Sequence, residues 1–160
     1  MKRPFRYFIA VIFLLSCHLI NAQGKFVLNK ETSQKIKFEF TSNLIIIPVE
    51  INGVELSFVL DSGVSRPILF NLTESDSLDL RNTKTFFLHG LGAEGSIKAL
   101  RSSNNNFKIG EAIHRNQELY VIFDQDINFT PRLGVHVHGI IGYDVFKDFV
   151  VEINYNSRYI

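Results

Sequence analysis

From residue 35 onward the chain is built of short apolar runs separated by turn residues. Lys37 and Glu39 set against Ile36, Phe38 and Phe40 give a period of two, which predicts a half-buried strand over 35–40. Residues 44–51 predict a second strand. Asn52-Gly53 follows, a strong hairpin signal because both residues accept positive φ, and residues 54–60 predict the returning partner. Further strands are predicted over 83–88, 95–100, 106–109, 119–123 and 149–155. Arg158-Tyr159-Ile160 reads as the beginning of another, either very short or the start of a continuation in a longer protein. Helix is confined to a turn or two within 73–80 and a short segment over 143–148. Without repeats or low-complexity tracts, the pattern predicts one small, closed, all-β body.

The first residues follow a different rule. Lys2, Arg3 and Arg6 precede an unbroken apolar run over 8–15, and Asn21-Ala22-Gln23 supplies a small-residue exit. That layout predicts a signal peptide over 1–22, a polar tether over 23–34 and a domain over 35–160, exported to the periplasm or the extracellular space. Leu14-Leu15-Ser16-Cys17 also fits a lipidation site, which would tie the chain to a membrane at Cys17.

Removing the leader changes the charge. Loss of Lys2, Arg3 and Arg6 takes the 17 basic residues to 14 against 16 acids, a net charge of −2. No basic surface is implied, and nucleic acid is not an expected partner. The single cysteine lies in the leader, so the mature domain has neither disulfide nor thiol chemistry and relies on core packing.

One segment carries chemistry. Phe58-Val59-Leu60-Asp61-Ser62-Gly63 delivers a carboxylate at the end of an apolar strand, followed by a hydroxyl and a glycine. An ionisable group at such a place is costly unless it is paired or used. The glycine permits a tight turn whose N–H groups can face the carboxylate. Downstream, Gly139-Ile140-Ile141-Gly142 frames an apolar pair with glycines and leads into Tyr143-Asp144-Val145-Phe146. Asp-Ser-Gly alone suits an ordinary turn. Its combination with Ile-Ile-Gly inside an all-β pattern is more specific.

From about residue 44 to 155 the chain resembles the retropepsin-like aspartic proteases, of the bacterial type often followed by a peptide-binding PDZ module. The resemblance implies a closed acid-protease barrel, a single retropepsin-like lobe with one or two short helices. It implies that Asp61 is the catalytic carboxylate, that Ser62 locks two active-site loops across a two-fold axis, and that Gly63 completes the loop. Ile140, Ile141 and Gly142 would brace that loop from behind. The glycine-rich stretch around His89, Gly90, Leu91 and Gly92 would be the flap over a peptide or protein substrate. No metal or organic cofactor is implied, since water is the nucleophile. Two carboxylates at about 3 Å must share one proton in this chemistry. The chain has one Asp-Ser-Gly, and Asp144 lacks the hydroxyl-glycine sequel, so the expected enzyme is a homodimer with one Asp61 from each subunit.

Departures and plainer alternatives stand beside this. Val64 replaces the family's usual alanine, and Ser65 and Tyr143 occupy positions where retroviral members pair an acid with an arginine. A non-catalytic peptide-binding or assembly domain is the competing function. His136 and His138 alternate as if on one strand face, and two solvated edge histidines are the ordinary outcome. Asp124-Gln125-Asp126 shows too few oxygens for calcium. Phe86, Phe87 and the run over 44–47 are expected in the core.

Overall fold

The computed structural model describes residues 24–28, 33–73, 77–89, 96–123 and 130–160, with Leu88, His89 and Ser96 described through their backbone alone. In chain order its strands are β1 (Phe26–Leu28), β2 (Glu39–Thr41), β3 (Leu44–Ile51), β4 (Val54–Asp61), β5 (Ile68–Leu69), β6 (Lys84–His89), β7 (Ser96–Ile109) and β8 (Ala112–Ile122). A single helical turn, α1 (Thr130–Leu133), then precedes β9 (Gly139–Gly142) and the short helix α2 (Tyr143–Asp148).

Turn chemistry sets the hairpins. Asn52 and Gly53 both hold positive φ, 50° and 92°, and fold β4 back on β3 in register from Ile51↔Val54 to Ile46↔Val59. The same device, not apparent in the strand pattern, joins β2 to β3 through Ser42 and Asn43, whose φ values are 48° and 63°. Pairing runs β8-β5-β9-β4-β3-β7, and β7 pairs again with β8, which closes a barrel of six strands. β6 continues outward from β7, β1 from β8, and β2 flanks β3. The protein is therefore an all-β barrel, with two short helices among the described residues. β9 threads between β4 and β5, parallel to the first and antiparallel to the second.

Alternation divides the apolar residues between two clusters. Ile47, Phe58 and Ile141 join Ile51, Phe107 and Leu119 in the main core, all fully buried or nearly so. Their sequence neighbours Ile46, Val59 and Ile140 turn the other way, to a smaller cluster with Phe70 and Val137.

Several expected elements change. The strands expected over 95–100 and 106–109 are, over the described residues 96–109, one strand β7, because the polar stretch between them is held in the sheet by side chains. Asn105 donates to Ser102 Oγ (2.9 Å) and to the Gln117 carbonyl (3.4 Å), and accepts from Asn52 Nδ2 (2.8 Å) where the β7–β8 register shifts. The expected strand over 119–123 is the end of the longer β8. In 35–40 only Glu39 and Phe40 belong to a sheet strand. Ile36 instead exchanges backbone hydrogen bonds with Ile160 (2.8 and 2.9 Å), so the segment pairs with the end of the chain. Residues 149–155 form no strand; an isolated Asn154–Tyr159 bridge closes a turn there, and Val150 is fully exposed. Residues 73 and 77–80 are not helical, and 74–76 lie outside the described residues. Phe26–Leu28, expected within the tether, pair with β8 as β1.

Candidate active site

β4 ends at the surface with Asp61, and the chain turns back at once. The Gly63 N–H donates to Asp61 Oδ1 at 2.9 Å, and the Val64 N–H donates to the Asp61 carbonyl at 3.1 Å. A Cβ on Gly63 would lie 3.3 Å from Oδ1, so the missing side chain keeps the approach to the carboxylate open. Asp61, Ser62 and Gly63 are all exposed. Such a turn presents an exposed carboxylate with one oxygen already hydrogen-bonded.

The support beneath it is β9. Ile140 lies opposite Val59, Ile141 opposite Leu60 and Gly142 opposite Asp61 in the parallel pair. Backbones meet so closely at the last of these that a Cβ on Gly142 would fall 1.6 Å from the Asp61 carbonyl oxygen and 2.3 Å from its carbon. Only glycine fits. At the other end of β9, a Cβ on Gly139 would fall 2.4 Å from the Ile68 carbonyl oxygen and 2.5 Å from the Phe58 ring. The two glycines thus let an apolar pair pass between β4 and β5, with fully buried Ile141 in the main core and half-buried Ile140 on the opposite face. Tyr143 N–H then donates to the Val64 carbonyl (3.0 Å), tying the start of α2 to the Asp61 turn.

A family model described as aspartyl protease matches residues 47–145, from the middle of β3 into α2. The chain belongs to the aspartyl protease family. The matched region is a retropepsin-like aspartyl protease domain and contains both the Asp-Ser-Gly turn and β9. No curated protein matches the chain.

The other residues of this aspartyl protease domain divide between the site and its surroundings. β6 and β7, which flank the segment expected to be the flap, pair from Lys84↔Arg101 to His89↔Ser96. Gly90, Leu91 and Gly92, like Asp124-Gln125-Asp126, lie outside the described residues. Phe86 and Phe87, both expected in the core, lie outside it, because β6 is the end strand beyond the closed barrel: Phe86 is half-buried on Tyr120 with ring centroids 4.8 Å apart, and Phe87 is 57% exposed. Asp144 is buried at the start of α2, where it accepts from Gln117 Nε2 (2.5 Å) and faces Lys147 Nζ (3.8 Å). Its carboxylate is thus engaged in tying α2 to β8.

His136 and His138 stack with centroids 4.3 Å apart, though their segment is not a strand. His138 Nδ1 accepts the Ser57 N–H at 3.0 Å, which commits that nitrogen to the backbone. Two features were not legible in the sequence. One is His114 of β8, buried against Phe26 and α2, whose Nδ1 makes no hydrogen bond of good geometry. Burial lowers its pKa from 6.5, opposed by the carboxylates of Asp144 and Asp148 and by the backbone of Gly24 and Arg115. The other is a charge cluster in which Glu118 contacts both Arg101 and Arg66. Only strand register brings these residues together.

Proposed function

We propose that this protein is an aspartic endopeptidase that works as a homodimer, each subunit contributing one Asp61. The observation that carries the reading is the exposed Asp61 carboxylate in a turn fixed by the Gly63 N–H and backed by Gly142. One such turn per chain supplies half of the required pair. Brought together across a two-fold axis, two Asp61 carboxylates would share one proton and hold a water between them. The ionised carboxylate takes a proton from that water as it attacks the peptide carbonyl. The protonated partner stabilises the developing oxyanion, and a proton then passes to the leaving nitrogen. Ser62, exposed beside Asp61, is assigned the hydrogen bond between the two loops, and His89 to Gly92 the flap. Residues 1–22 are read as the export signal, which a mass measurement of the mature N-terminus tests directly.

The decisive experiment compares wild type with Asp61→Asn, purified identically from residue 23, in cleavage of unstructured casein across acid and neutral pH. Cleavage by wild type and a loss of at least about a thousandfold in the variant are expected. Adding excess Asp61→Asn protein to the wild type should also suppress activity, because mixed dimers hold a single catalytic carboxylate. Equal cleavage by both proteins would exclude Asp61. Absence of cleavage with retained peptide binding would favour the non-catalytic reading.

A further inference from the structure

The strand registers place one row of side chains on a single face of five strands. Val59 of β4 lies opposite Ile140 of β9, Ile140 opposite Ile68 of β5, Ile68 opposite Tyr120 of β8, and Tyr120 opposite Arg101 of β7. Directly paired residues point to the same side of a sheet, so these five share a face. Asp61 is two residues beyond Val59 on β4 and shares it too. The row from Val59 to Tyr120 is apolar with an aromatic end, and beyond it the character changes.

Arg66 lies two residues before Ile68, on the short passage from the Asp61 turn into β5. Its Nε is 3.8 Å from Glu118 Oε2, and Glu118 lies two residues before Tyr120. This contact keeps Arg66 on the face of Ile68 and Tyr120, hence on the face of Asp61. Glu118 also accepts a much closer contact from Arg101 Nε, and Lys84 of β6 lies opposite Arg101. A single carboxylate thus serves two guanidinium groups, with a lysine at the paired position on the next strand. Arg101 holds that carboxylate at hydrogen-bonding range, while Arg66 stands off and keeps 31% of its side-chain surface open. The cluster carries a net positive charge, and among the described residues the Arg66 guanidinium has no partner nearer than this 3.8 Å contact, in a protein whose mature chain is slightly acidic.

We propose that Arg66 is a specificity-determining residue that selects substrates with an acidic side chain near the scissile bond. The proposal rests on the peptidase reading of Asp61 and goes further by naming the substrate class. β4 and β5 are separated by two strand spacings, about 10 Å. An extended peptide advances about 3.4 Å per residue, so the acidic residue falls two or three positions from the bond that is cut. A guanidinium binds a carboxylate through two parallel hydrogen bonds, and no Gln in the peptide reproduces that geometry or charge. Glu118 holds the Arg66 stem in place and is weak enough a partner at 3.8 Å to be displaced by a substrate carboxylate.

The test measures binding and cleavage separately. Acetylated decapeptides with an apolar centre carry Glu or Gln in turn at each of three positions on either side. Affinity is read by fluorescence anisotropy with the Asp61→Asn protein, and kcat/KM with the wild type. At one position the Glu peptide should bind about tenfold more tightly than its Gln counterpart, in keeping with one charge-assisted pair. Arg66→Gln in the Asp61→Asn background should bring that ratio to one, Arg66→Lys should retain part of it, and Arg66→Glu should reverse it toward Lys peptides. Thermal unfolding of each variant separates loss of selectivity from loss of fold. Equal affinity for every Glu and Gln pair, failure of all peptides to bind, or a ratio unchanged by Arg66→Gln would overturn the proposal. Selective binding without cleavage by the wild type would overturn the peptidase reading and leave the acidic preference standing.

Discussion

The two faces of the β4–β9 pair are made by the same eight paired residues and have opposite characters. On one face Phe58, Leu60 and Ile141 enter the main core, with Phe58 and Ile141 wholly buried. On the other, Val59 and Ile140 join a small cluster that thins out toward exposed Asp61. A period of two is all that separates them. Burial on the first face fixes the strands, and that fixed frame allows the second to present an ionisable group at a defined point. Stability and chemistry are thus assigned to alternate residues, and substitutions should separate them.

The largest effect is expected where neither face has a side chain. Gly142→Ala would drive a methyl group into the Asp61–Ser62 peptide, whose backbone atoms cannot give way as a flexible side chain would. We expect a loss of at least about 5 kcal/mol, a large part of the stability of a domain this size, seen as failure to unfold cooperatively in urea. A normal transition in Gly142→Ala would mean that the passage of β9 behind Asp61 has room for a methyl group. Next come the two faces themselves. Phe58→Ala should lower stability by about 3–5 kcal/mol through cavity formation. Ile140→Ala, half-buried, should cost about 1 kcal/mol yet alter peptide cleavage, because Ile140 lies on the face of Asp61. Chemical denaturation combined with kcat/KM for both variants checks this. Equal stability losses would erase the distinction between the faces.

Much of this was legible in the residues. Asn52-Gly53 announced its hairpin because a positive-φ pair has few other uses, and the resemblance to retropepsin-like proteases implied the close passage at Gly142. The segment 143–148 read correctly as a helix. What escaped detection depended on partners far away in sequence. Ser102 to Asn106 looks like a loop until Asn52 and Gln117 are beside it. Residues 149–155 look like a strand because they alternate, yet among the described residues no strand pairs with them. Phe26–Leu28 is too short to stand out from a polar stretch. The charge of Arg66 has no meaning until register sets Glu118 next to it, and a pattern read along one strand contains no register.

The smallest expected effect separates the pH dependence of folding from that of catalysis. A shared proton between two Asp61 groups would make activity depend on acid at the exposed face. The fold should respond to acid elsewhere, at His114, behind β1 and against α2. Its pKa is depressed below 6.5 chiefly by burial, with Asp144 and Asp148 pulling the other way. Between that folded value and 6.5 the unfolded chain binds more protons than the native one, so stability rises with pH through this window. Above 6.5 the group contributes no slope, and stability is lost progressively as pH falls below it. His114→Phe keeps a ring beside Phe26 and removes the titrating nitrogen. Urea midpoints at pH 7.5 and pH 5 should therefore fall less for His114→Phe than for the wild type. The pH profile of peptide cleavage, measured below the unfolding range of both proteins, should keep its shape. Identical falls in midpoint would clear His114 of a role in acid sensitivity, and a shifted cleavage profile would mean that the two regions are coupled through β8 and α2.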